Sequence, residues 1–270
     1  MKFLCFIVFV FLLAAAHAQT VGFIEIPSRE GVKQPFLYSK AISPQAVAIL
    51  FQGGAGRIGA AGTATNGWAR VENFLSGGAK RFTNNGVTVA IFETPSNKGN
   101  LNDGFRNTPE HNQDVSALIA FLRKENPSLP VWLIGTSNGT LSVTSAAANL
   151  AQSEKPDGIV LSSSVSVEHS LTGQKYTHPY WAAKLDQIAM PALLVHHKQD
   201  ACEYSPYTGM QKALASFPNA TKIELITMEG GAAVSGDRCG SGPHQYAGIQ
   251  DEATQKIADW MKANKPKANR

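Results

Sequence analysis

Residues that together could carry out nucleophilic catalysis occur at widely separated positions in this sequence. Ser137 lies within Gly135-Thr136-Ser137-Asn138-Gly139, directly after the apolar run 131–134. A serine with a glycine two residues to either side, between a strand and a helix, is typical of a turn that holds a hydroxyl out above a sheet. The helix that follows directs its first amide N–H groups outward, where they stabilise negative charge. The pattern therefore predicts Ser137 as a nucleophile.

A serine hydroxyl is a weak nucleophile at neutral pH, so this chemistry needs a histidine base and an acid that orients the histidine. After a turn of this kind, the acid and then the histidine are expected further along the chain. Asp200 follows the apolar run 190–195, and His244 precedes the last predicted helix. Each interval has room for a strand and a helix. We therefore predict Ser137, Asp200 and His244 as a catalytic triad.

Neighbouring residues offer alternatives for two of these roles. Glu203 is a second candidate for the acid, and Asp200 could instead cap the helix that follows it. His196 and His197 are further candidates for the base. We favour His244 over them because side chains at the end of a buried strand more often pack in the core.

A glycine-rich stretch from Gln52 to Gly56 follows the predicted strand 46–51. It lacks both the GxGxxG spacing of a dinucleotide loop and the GK[ST] ending of a phosphate loop, so phosphate binding is not favoured. The backbone N–H groups of Gly54 or Ala55, together with that of Asn138, are expected to form an oxyanion hole beside the nucleophile. A purely structural turn is the alternative.

Composition and patterning favour one α/β domain. The 270 residues are 43% apolar and 16% charged, which suits a large core and excludes a disordered chain. Apolar runs alternate with amphipathic segments, which predicts a mostly parallel eight-stranded sheet with helices on both faces. The first two strands are expected to form a hairpin. Strands are predicted at 21–27, 33–38, 46–51, 87–92, 131–134, 158–161, 190–197 and 222–228, and helices at 68–81, 108–124, 141–148, 204–217 and 245–263.

The first 18 residues have the features of a secretory signal peptide. Lys2 gives a positive start, residues 3–16 are apolar, and Ala16-His17-Ala18 matches a cleavage site before Gln19. This segment is too short to span a bilayer comfortably, so no stable membrane anchor is expected. The sequence predicts a signal peptide over 1–18 and a single exported domain over 19–270, secreted or periplasmic.

The charge balance excludes one class of partner. The formal net charge of the whole chain is +4, and loss of Lys2 with the signal lowers it to about +3. So small an excess of positive charge gives no basis for nucleic-acid binding.

The cysteines predict a disulfide bond. Cys5 lies in the signal segment, which leaves Cys202 and Cys239 in the exported chain. Two cysteines in an exported protein usually pair, and this pair would join the loop of Asp200 to the loop of His244. Two reduced thiols remain the alternative. Without CxxC spacing these cysteines offer no zinc site, and we expect no metal.

Taken together, the glycine-rich loop, the GTSNG turn, the HHKQDAC segment and the GPH segment resemble the α/β-hydrolase family. More narrowly, they resemble its secreted bacterial serine hydrolases, over about residues 21–260. The resemblance implies an α/β-hydrolase fold, the triad Ser137, Asp200 and His244, and no cofactor. Only about Ser166 to Asp186 is available where lipases carry a lid, so a small or absent lid is expected.

The resemblance implies hydrolysis of a small-molecule ester through an acyl-enzyme intermediate. A peptidase or amidase is the nearest alternative, because the same residues cleave amides. A catalytically silent binding protein on the same scaffold is another, since a fold does not determine function. Tyr176, Tyr180 and Trp181 could form a wall of the substrate pocket, or simply pack in the fold.

Overall fold

The computed structural model describes residues 21–59, 73–167, 169–171, 174–176 and 180–266. The predicted signal peptide and residues 68–72 of the helix predicted at 68–81 lie outside these ranges. Eight strands form the main sheet: β1 (Val21–Arg29), β2 (Val32–Ser39), β3 (Ala46–Phe51), β4 (Val87–Phe92), β5 (Val131–Thr136), β6 (Gly158–Ser162), β9 (Ala192–His197) and β10 (Ile223–Met228). Two short strands, β7 (His169–Leu171) and β8 (Gln174–Tyr176), form a separate hairpin.

The main sheet is mostly parallel, as predicted. Its strand order is β1-β2-β4-β3-β5-β6-β9-β10. The hairpin of β1 and β2 is antiparallel, and β2 pairs antiparallel with β4, whereas every later pair is parallel. The carboxyl ends of β3, β5, β6 and β9 therefore meet at one edge of the sheet. In such sheets, ligands bind beyond the carboxyl ends of the strands.

Helices cover both faces of this sheet, which explains why its central strands are apolar on both sides. The helices are α1 (Ala79–Asn84), α2 (Asp103–Arg106), α3 (Pro109–Glu125), α4 (Gly139–Asn149), α5 (Tyr207–Ala213) and α6 (Gln250–Ala263). One core cluster includes Leu118 of α3 and Val143 of α4, and a second includes Phe82 of α1 and Ile257 of α6. The predicted fold class, the α/β-hydrolase fold, is confirmed.

Helix α3 begins where the sequence predicts. The Thr108 side chain accepts a hydrogen bond from the backbone N–H of His111 at 3.2 Å, and Pro109 occupies the first turn. Proline suits that position because its missing N–H would have no helical partner there. Here local sequence determines the boundary.

Three other helices begin later than predicted, and the helix predicted at 204–217 begins at Tyr207 and ends at Ala213. Within the described part of 68–81, the helix begins only at Ala79, after turns that include Gly77 and Gly78, since glycine disfavours helix. The last helix begins at Gln250 because the preceding Gly242–Gln245 forms a 3-10 turn that ends at Tyr246 in a left-handed conformation. The hairpin β7–β8 and helix α2 were not predicted.

The segment predicted to be too short for a lid contains the hairpin β7–β8 and two 3-10 turns, Tyr180–Ala182 and Leu185–Gln187. Tyr180 is buried and stacks on Phe217, with ring centroids 6.5 Å apart, so it packs within the fold. Trp181 is partly exposed and donates to the backbone carbonyl of Ser166. Across the described ranges, no helix has the length and apolar character that a membrane crossing requires.

His111 is a fully buried histidine in the apolar core. Its ring makes edge contacts with Phe51, Phe92 and Phe105, and neither ring nitrogen has a hydrogen-bond partner among the described residues. Burial, with smaller contributions from the charges of Arg106 and Arg29, lowers the pKa of His111 to about 3. The folded protein therefore holds this imidazole neutral at pH values where the unfolded chain protonates it.

This gives a prediction for acid stability. The pKa of His111 in the folded protein lies below its ordinary value of 6.5. The folded state therefore loses stability as the pH falls from 6.5 to the pKa of His111 in the folded protein. Replacing His111 with phenylalanine removes this loss. We compare the free energy of unfolding of the variant with that of the wild type at two pH values. The difference, variant minus wild type, should be about 2 to 3 kcal/mol more positive at pH 4.5 than at pH 7.5. Urea unfolding of both proteins at the two pH values measures this difference. If the free energy of unfolding depends on pH in the same way in both proteins, the prediction is wrong.

Candidate active site

Ser137 lies between β5 and α4, as the sequence predicts, and its backbone is strained. Its φ angle is +51°, in the left-handed region that residues other than glycine rarely adopt. The Ser137 N–H donates to the carbonyl of Ser162 at 3.0 Å, and the Thr140 N–H donates to the carbonyl of Ser137 at 3.0 Å. These bonds hold the turn in place. The serine side chain is half-buried and lines a cavity.

The two glycines that flank the turn are required by close backbone approach. A Cβ atom on Gly135 would lie 2.5 Å from the carbonyl oxygen of Gly139. A Cβ atom on Gly139 would collide with the carbonyl group of Phe51 at the end of β3. Close packing of strand, turn and helix thus explains the sequence pattern, and it brings the end of β3 beside Ser137.

Asp200 and His244 are in direct contact. Asp200 follows β9, and His244 lies in the 3-10 turn Gly242–Gln245 before α6. The Nδ1 atom of His244 lies 2.9 Å from Oδ2 of Asp200, and both side chains are fully buried. Since a carboxylate only accepts, Nδ1 carries the proton and donates it, which leaves a lone pair on Nε2. That Nε2 atom is buried and has no hydrogen-bond partner among the residues the structure describes.

The carboxylate of Asp200 has further donors. Its Oδ1 accepts from the backbone N–H of Cys202 at 2.9 Å, and its Oδ2 lies 3.1 Å from Nε2 of His196 and 3.4 Å from Oγ of Ser205. Burial alone would raise the pKa of Asp200, but hydrogen bonds from His196 and His244 outweigh burial and hold it well below its usual range. Asp200 is therefore ionised at neutral pH.

The alternatives raised by the sequence occupy other places. Glu203 is exposed, and it is Asp200 that contacts His244. His196 contacts Asp200 from the strand side. His197 is buried, with its Nε2 at 2.9 Å from the carbonyl oxygen of Gly230 and its Nδ1 accepting from the N–H of Gln199 at 3.0 Å. Within the described ranges, no group of three or more histidine, cysteine, aspartate or glutamate side chains is arranged so that it could hold a metal ion.

Ser137 and His244 are both anchored to the end of β6. Ser162 accepts from the backbone of Ser137, and the Oγ of Ser163 donates to the carbonyl of His244 at 3.0 Å. Among the described residues, no hydrogen bond joins Ser137 to Nε2 of His244. Such bonds are often long in unliganded enzymes and shorten in the substrate complex. The structure therefore pairs Asp200 with His244 and attaches Ser137 to the neighbouring backbone.

Tyr246 is a residue of this site that sequence reasoning missed. It is fully buried, with its hydroxyl donating to the carbonyl of Val195 at 2.9 Å and lying 3.0 Å and 3.1 Å from the hydroxyls of Ser162 and Ser163. Burial raises the pKa of Tyr246 above its ordinary value, so the phenol stays protonated. No local signal marks it, because its partners are distant in sequence.

Backbone strain is concentrated at these residues. Within the described ranges, the non-glycine residues with positive φ are Ser137, Ser163 and Tyr246. All three belong to the hydrogen-bonded group that surrounds His244. Strained residues of this kind persist where the surrounding structure holds them, and they cluster at functional sites.

The glycine-rich loop lies against the nucleophile. A Cβ atom on Gly53 would lie 2.7 Å from Cβ of Ser137. Of the predicted oxyanion-hole residues, Gly54 and Asn138 line the same cavity as Ser137, whereas Ala55 is not among its described lining residues. The carbonyl of Ala55 accepts from the N–H of Leu101 at 2.7 Å.

Arg106 anchors this loop, a role that the sequence did not reveal. Its guanidinium is fully buried, and one terminal nitrogen donates to the carbonyls of Gln52 and Gly54 at 3.3 Å and 3.1 Å. The other terminal nitrogen donates to Oγ of Ser142 in α4 at 2.8 Å. The helix predicted from residue 108 is present with Thr108 as its cap, and Arg106 precedes it as a link from the loop to α4.

Cys202 and Cys239 form a disulfide bond, as predicted. Cys202 contacts Asp200 through its backbone N–H. On the other side, the carbonyl of Cys239 accepts from the side-chain amide of Gln245, the residue after His244, at 3.2 Å. The bridge therefore joins the loop of Asp200 to the loop of His244.

Opening this bridge is expected to lower both stability and turnover. The cysteines are 37 residues apart, and closing a loop of this length stabilises a fold by about 4 kcal/mol in the chain-entropy model. Thermal unfolding and ester turnover should be measured before and after reduction that is verified by thiol titration. The double variant Cys202→Ala, Cys239→Ala provides a control that cannot reoxidise. Unchanged turnover in both the reduced protein and the double variant would show that the bridge does not position Asp200 and His244.

The cavity at Ser137 has a volume of about 420 Å³. Its described lining residues are Gly53, Gly54, Asn73, Ser137, Asn138, Tyr204, Asp237, Cys239, Gly240 and Gln245. A larger cavity of about 570 Å³ lies between α3 and α4, beside Ser116 and Asn149. We assign the chemistry to the smaller cavity, because it contains the strained serine beside the glycine-rich loop.

The fold has many relatives of known structure. An esterase of Pyrococcus furiosus superposes with a TM-score of 0.66 at 12% identity, covering 92% of each chain. Est1E of Butyrivibrio proteoclasticus gives 0.62 at 14% identity, covering 90% of this chain and 98% of its own. A lidless α/β serine hydrolase of Xanthomonas campestris gives 0.54 at 15%, covering 89% and 94%. At these identities the likeness shows the fold alone.

The sequence itself carries a family assignment. No curated protein matches it significantly. The family profile described as serine aminopeptidase, S33, matches residues 74–228. That match covers more than half of the chain and includes the Ser137 turn and Asp200. The protein is therefore a hydrolase and belongs to the S33 serine aminopeptidase family of α/β-hydrolases.

Proposed function

We propose that this hydrolase is a secreted carboxylic ester hydrolase that acts through Ser137, His244 and Asp200. One observation carries the proposal most directly. His244 donates from Nδ1 to the ionised Asp200, and its Nε2 lone pair is left buried without a partner among the described residues. This is the protonation state that a general base requires.

The reaction would proceed in two steps. His244 would take the proton of Ser137 as the serine oxygen attacks the ester carbonyl, and would then give that proton to the departing alcohol. In the second step, His244 would activate water, which attacks the acyl-enzyme and releases the carboxylic acid. Asp200 would hold the imidazole in its tautomer and stabilise its protonated form. This mechanism requires no metal or organic cofactor.

The oxyanion formed in each step would need backbone donors. The N–H groups of Asn138 and of Gly54 or Ala55 are the proposed donors, and Arg106 would keep the glycine-rich loop in position. Gly54 and Asn138 border the cavity that contains Ser137, which supports their assignment.

Export of the protein is part of the proposal. Residues 1–18 would be removed as a signal peptide and residues 19–270 would form one domain, secreted or periplasmic. The disulfide supports this, because such bonds persist in oxidising compartments. A small-molecule ester would be its partner, with no nucleic acid involved. Mass spectrometry of protein recovered from the culture medium and the periplasm tests the cleavage before Gln19.

A peptidase is the second candidate, and the description of the matched family as serine aminopeptidase favours it. Comparing p-nitrophenyl esters with p-nitroanilides that carry the same acyl group separates the two activities. We expect ester turnover to dominate by at least about 10-fold in kcat/KM, a difference of about 1.4 kcal/mol in barrier height. Dominant cleavage of the anilides would replace the esterase proposal with a peptidase.

A further inference from the structure

Two histidines, rather than one, contact the same oxygen of Asp200. Nε2 of His196 lies 3.1 Å from Oδ2 of Asp200, and Nδ1 of His244 lies 2.9 Å from it. The side chains of all three residues are fully buried. A catalytic triad needs only one histidine on its carboxylate, so His196 calls for an explanation.

The tautomer of His196 follows from its neighbours. Its Nε2 faces two acceptors, Oδ2 of Asp200 and the backbone carbonyl of Ser205 at 2.8 Å. Because neither group can donate, Nε2 must carry a proton and act as the donor. His196 therefore shares its one Nε2–H between the carbonyl of Ser205 and Oδ2 of Asp200, and the part that reaches the carboxylate is charge-assisted.

These contacts leave the carboxylate little freedom to rotate. The N–H of Cys202 holds Oδ1, while His196 and His244 hold Oδ2. Ser205 closes the group, since its Oγ lies 3.4 Å from Oδ2 of Asp200 and 3.1 Å from Nδ1 of His244. Without His196, Oδ2 would keep His244 and Ser205 but lose the donor that reaches it from β9.

We propose that His196 is a positioning residue that fixes Oδ2 of Asp200 in line with Nδ1 of His244. The inference rests on the proposed function and adds a fourth side chain to it. His196 is fully buried and is not among the described lining residues of the cavity at Ser137, so we place its effect on the reaction through Asp200. Its loss is expected to lower the rate of the chemical steps and to leave substrate binding unchanged.

A simpler role for His196 would be to hold the loop after β9 in place through its hydrogen bond to a backbone carbonyl. The neighbouring His197 provides a control for this role. His197 is also fully buried, and its Nε2 contacts the backbone carbonyl of Gly230 at 2.9 Å. It resembles His196 in burial and in its bond to a backbone carbonyl, but its ring makes no hydrogen bond or ion pair with the carboxylate of Asp200 among the described residues, and its own carbonyl, which accepts from the N–H of Asp200 at 3.1 Å, is unaffected by a side-chain change. A variant of His197 therefore reports the effect of losing such a tether alone.

The experiment compares His196→Leu, His196→Gln and His197→Leu in the full-length exported protein, by kcat and KM on a p-nitrophenyl ester and by thermal unfolding. We expect His196→Leu to lower kcat by about 10- to 100-fold, as for loss of a hydrogen bond to a charged group, with KM unchanged. Glutamine places an N–H donor near the position of Nε2, so His196→Gln should recover most of kcat. His197→Leu should lose thermal stability while keeping kcat near the wild-type value.

A spectroscopic measurement tests the contact without reference to activity. Imidazole N–H protons that bind a buried carboxylate give proton resonances at low field in NMR spectra. We expect two such resonances in the wild type, from His196 and His244, and one in His196→Gln. If His196→Leu fails to fold, His196→Asn replaces it, because asparagine is polar but too short to bring its N–H to the position of Nε2.

The outcomes separate the two proposals. If the wild type hydrolyses esters and His196→Leu keeps the wild-type kcat, the inference about His196 is wrong and the proposed function stands. Equal kcat values for His196→Gln and for the variant without a donor would also overturn the inference. If the wild type hydrolyses neither esters nor anilides, the proposed function fails and the role of His196 fails with it.

Discussion

Replacing Ser137 with alanine is expected to lower ester turnover by about 10⁵- to 10⁶-fold, because the acyl-enzyme can no longer form. The fold should be retained. The hydroxyl of Ser137 is half-buried on the cavity wall, and the turn is held by backbone hydrogen bonds to Ser162 and Thr140, which alanine preserves. The variant therefore tests the nucleophile without a large loss of stability.

Covalent labelling measures the same property directly. A fluorophosphonate probe should label the wild type once, and mass spectrometry should locate the adduct on Ser137. Ser164→Ala is a matched control, since Ser164 is buried near the end of β6 and its hydroxyl has no hydrogen-bond partner among the described residues. Labelling of Ser137→Ala at another serine would identify a different nucleophile. A wild type that never labels would favour a catalytically silent scaffold.

Asp200→Asn is expected to lower kcat by about 10⁴-fold, because it imposes the wrong tautomer on His244. The amide N–H of asparagine can face Nδ1 of His244. Nδ1 must then accept this hydrogen bond with its lone pair, so the imidazole proton moves to Nε2. A protonated neutral Nε2 cannot accept the proton of Ser137. Because the pKa of Asp200 lies well below its usual range, its ionised form persists as pH falls. If activity falls in mild acid, we therefore attribute the fall to protonation of a group other than Asp200.

The kinetic test has a control in the rival acid. Glu203 is exposed and lies close in sequence, so Glu203→Gln should keep kcat within about 2-fold of the wild type, as is usual for substitutions at exposed positions. Steady-state rates across pH 5 to 9, with thermal unfolding of each variant, separate lost chemistry from lost stability. A large effect of Glu203→Gln, or none of Asp200→Asn, would transfer the acid role away from Asp200.

Much of the fold follows from local patterns. Residues 46–51 are apolar on both faces, and they form β3 with every side chain buried. Thr108 and Pro109 fix the start of α3, because a cap and a preset φ act within one helical turn. The predicted limits are less accurate where chain direction depends on distant packing. The left-handed Tyr246 delays α6 to Gln250, and its conformation is held by contacts with β6 and β9.

The same distinction applies to the candidate site. Glycine spacing around Ser137 is a local signal, because the turn needs small residues where backbones meet. The order of serine, acid and histidine, together with the cysteine pair, identified the groups to look for along the chain. Sequence patterns offered no comparable signal for Arg106, whose partners come from other elements, and they named His196 only as an alternative base, although Asp200 lies four residues after it.

Sequence by itself therefore predicted the eight strands of the main sheet, the turn at Ser137, the pairing of Asp200 with His244 and the cysteine pair, since each depends on spacing or residue type along the chain. Only the tertiary structure decided which histidine shares the carboxylate of Asp200 with His244, and which cation anchors the glycine-rich loop. The contacts of Arg106 and of His244 join residues that are distant in sequence and meet only when the sheet assembles, whereas His196 lies four residues before Asp200 and reaches it through the turn of the chain after β9. Their hydrogen-bond geometry is set by how β6, β9 and the loop before α6 pack, and that packing has no counterpart in local sequence.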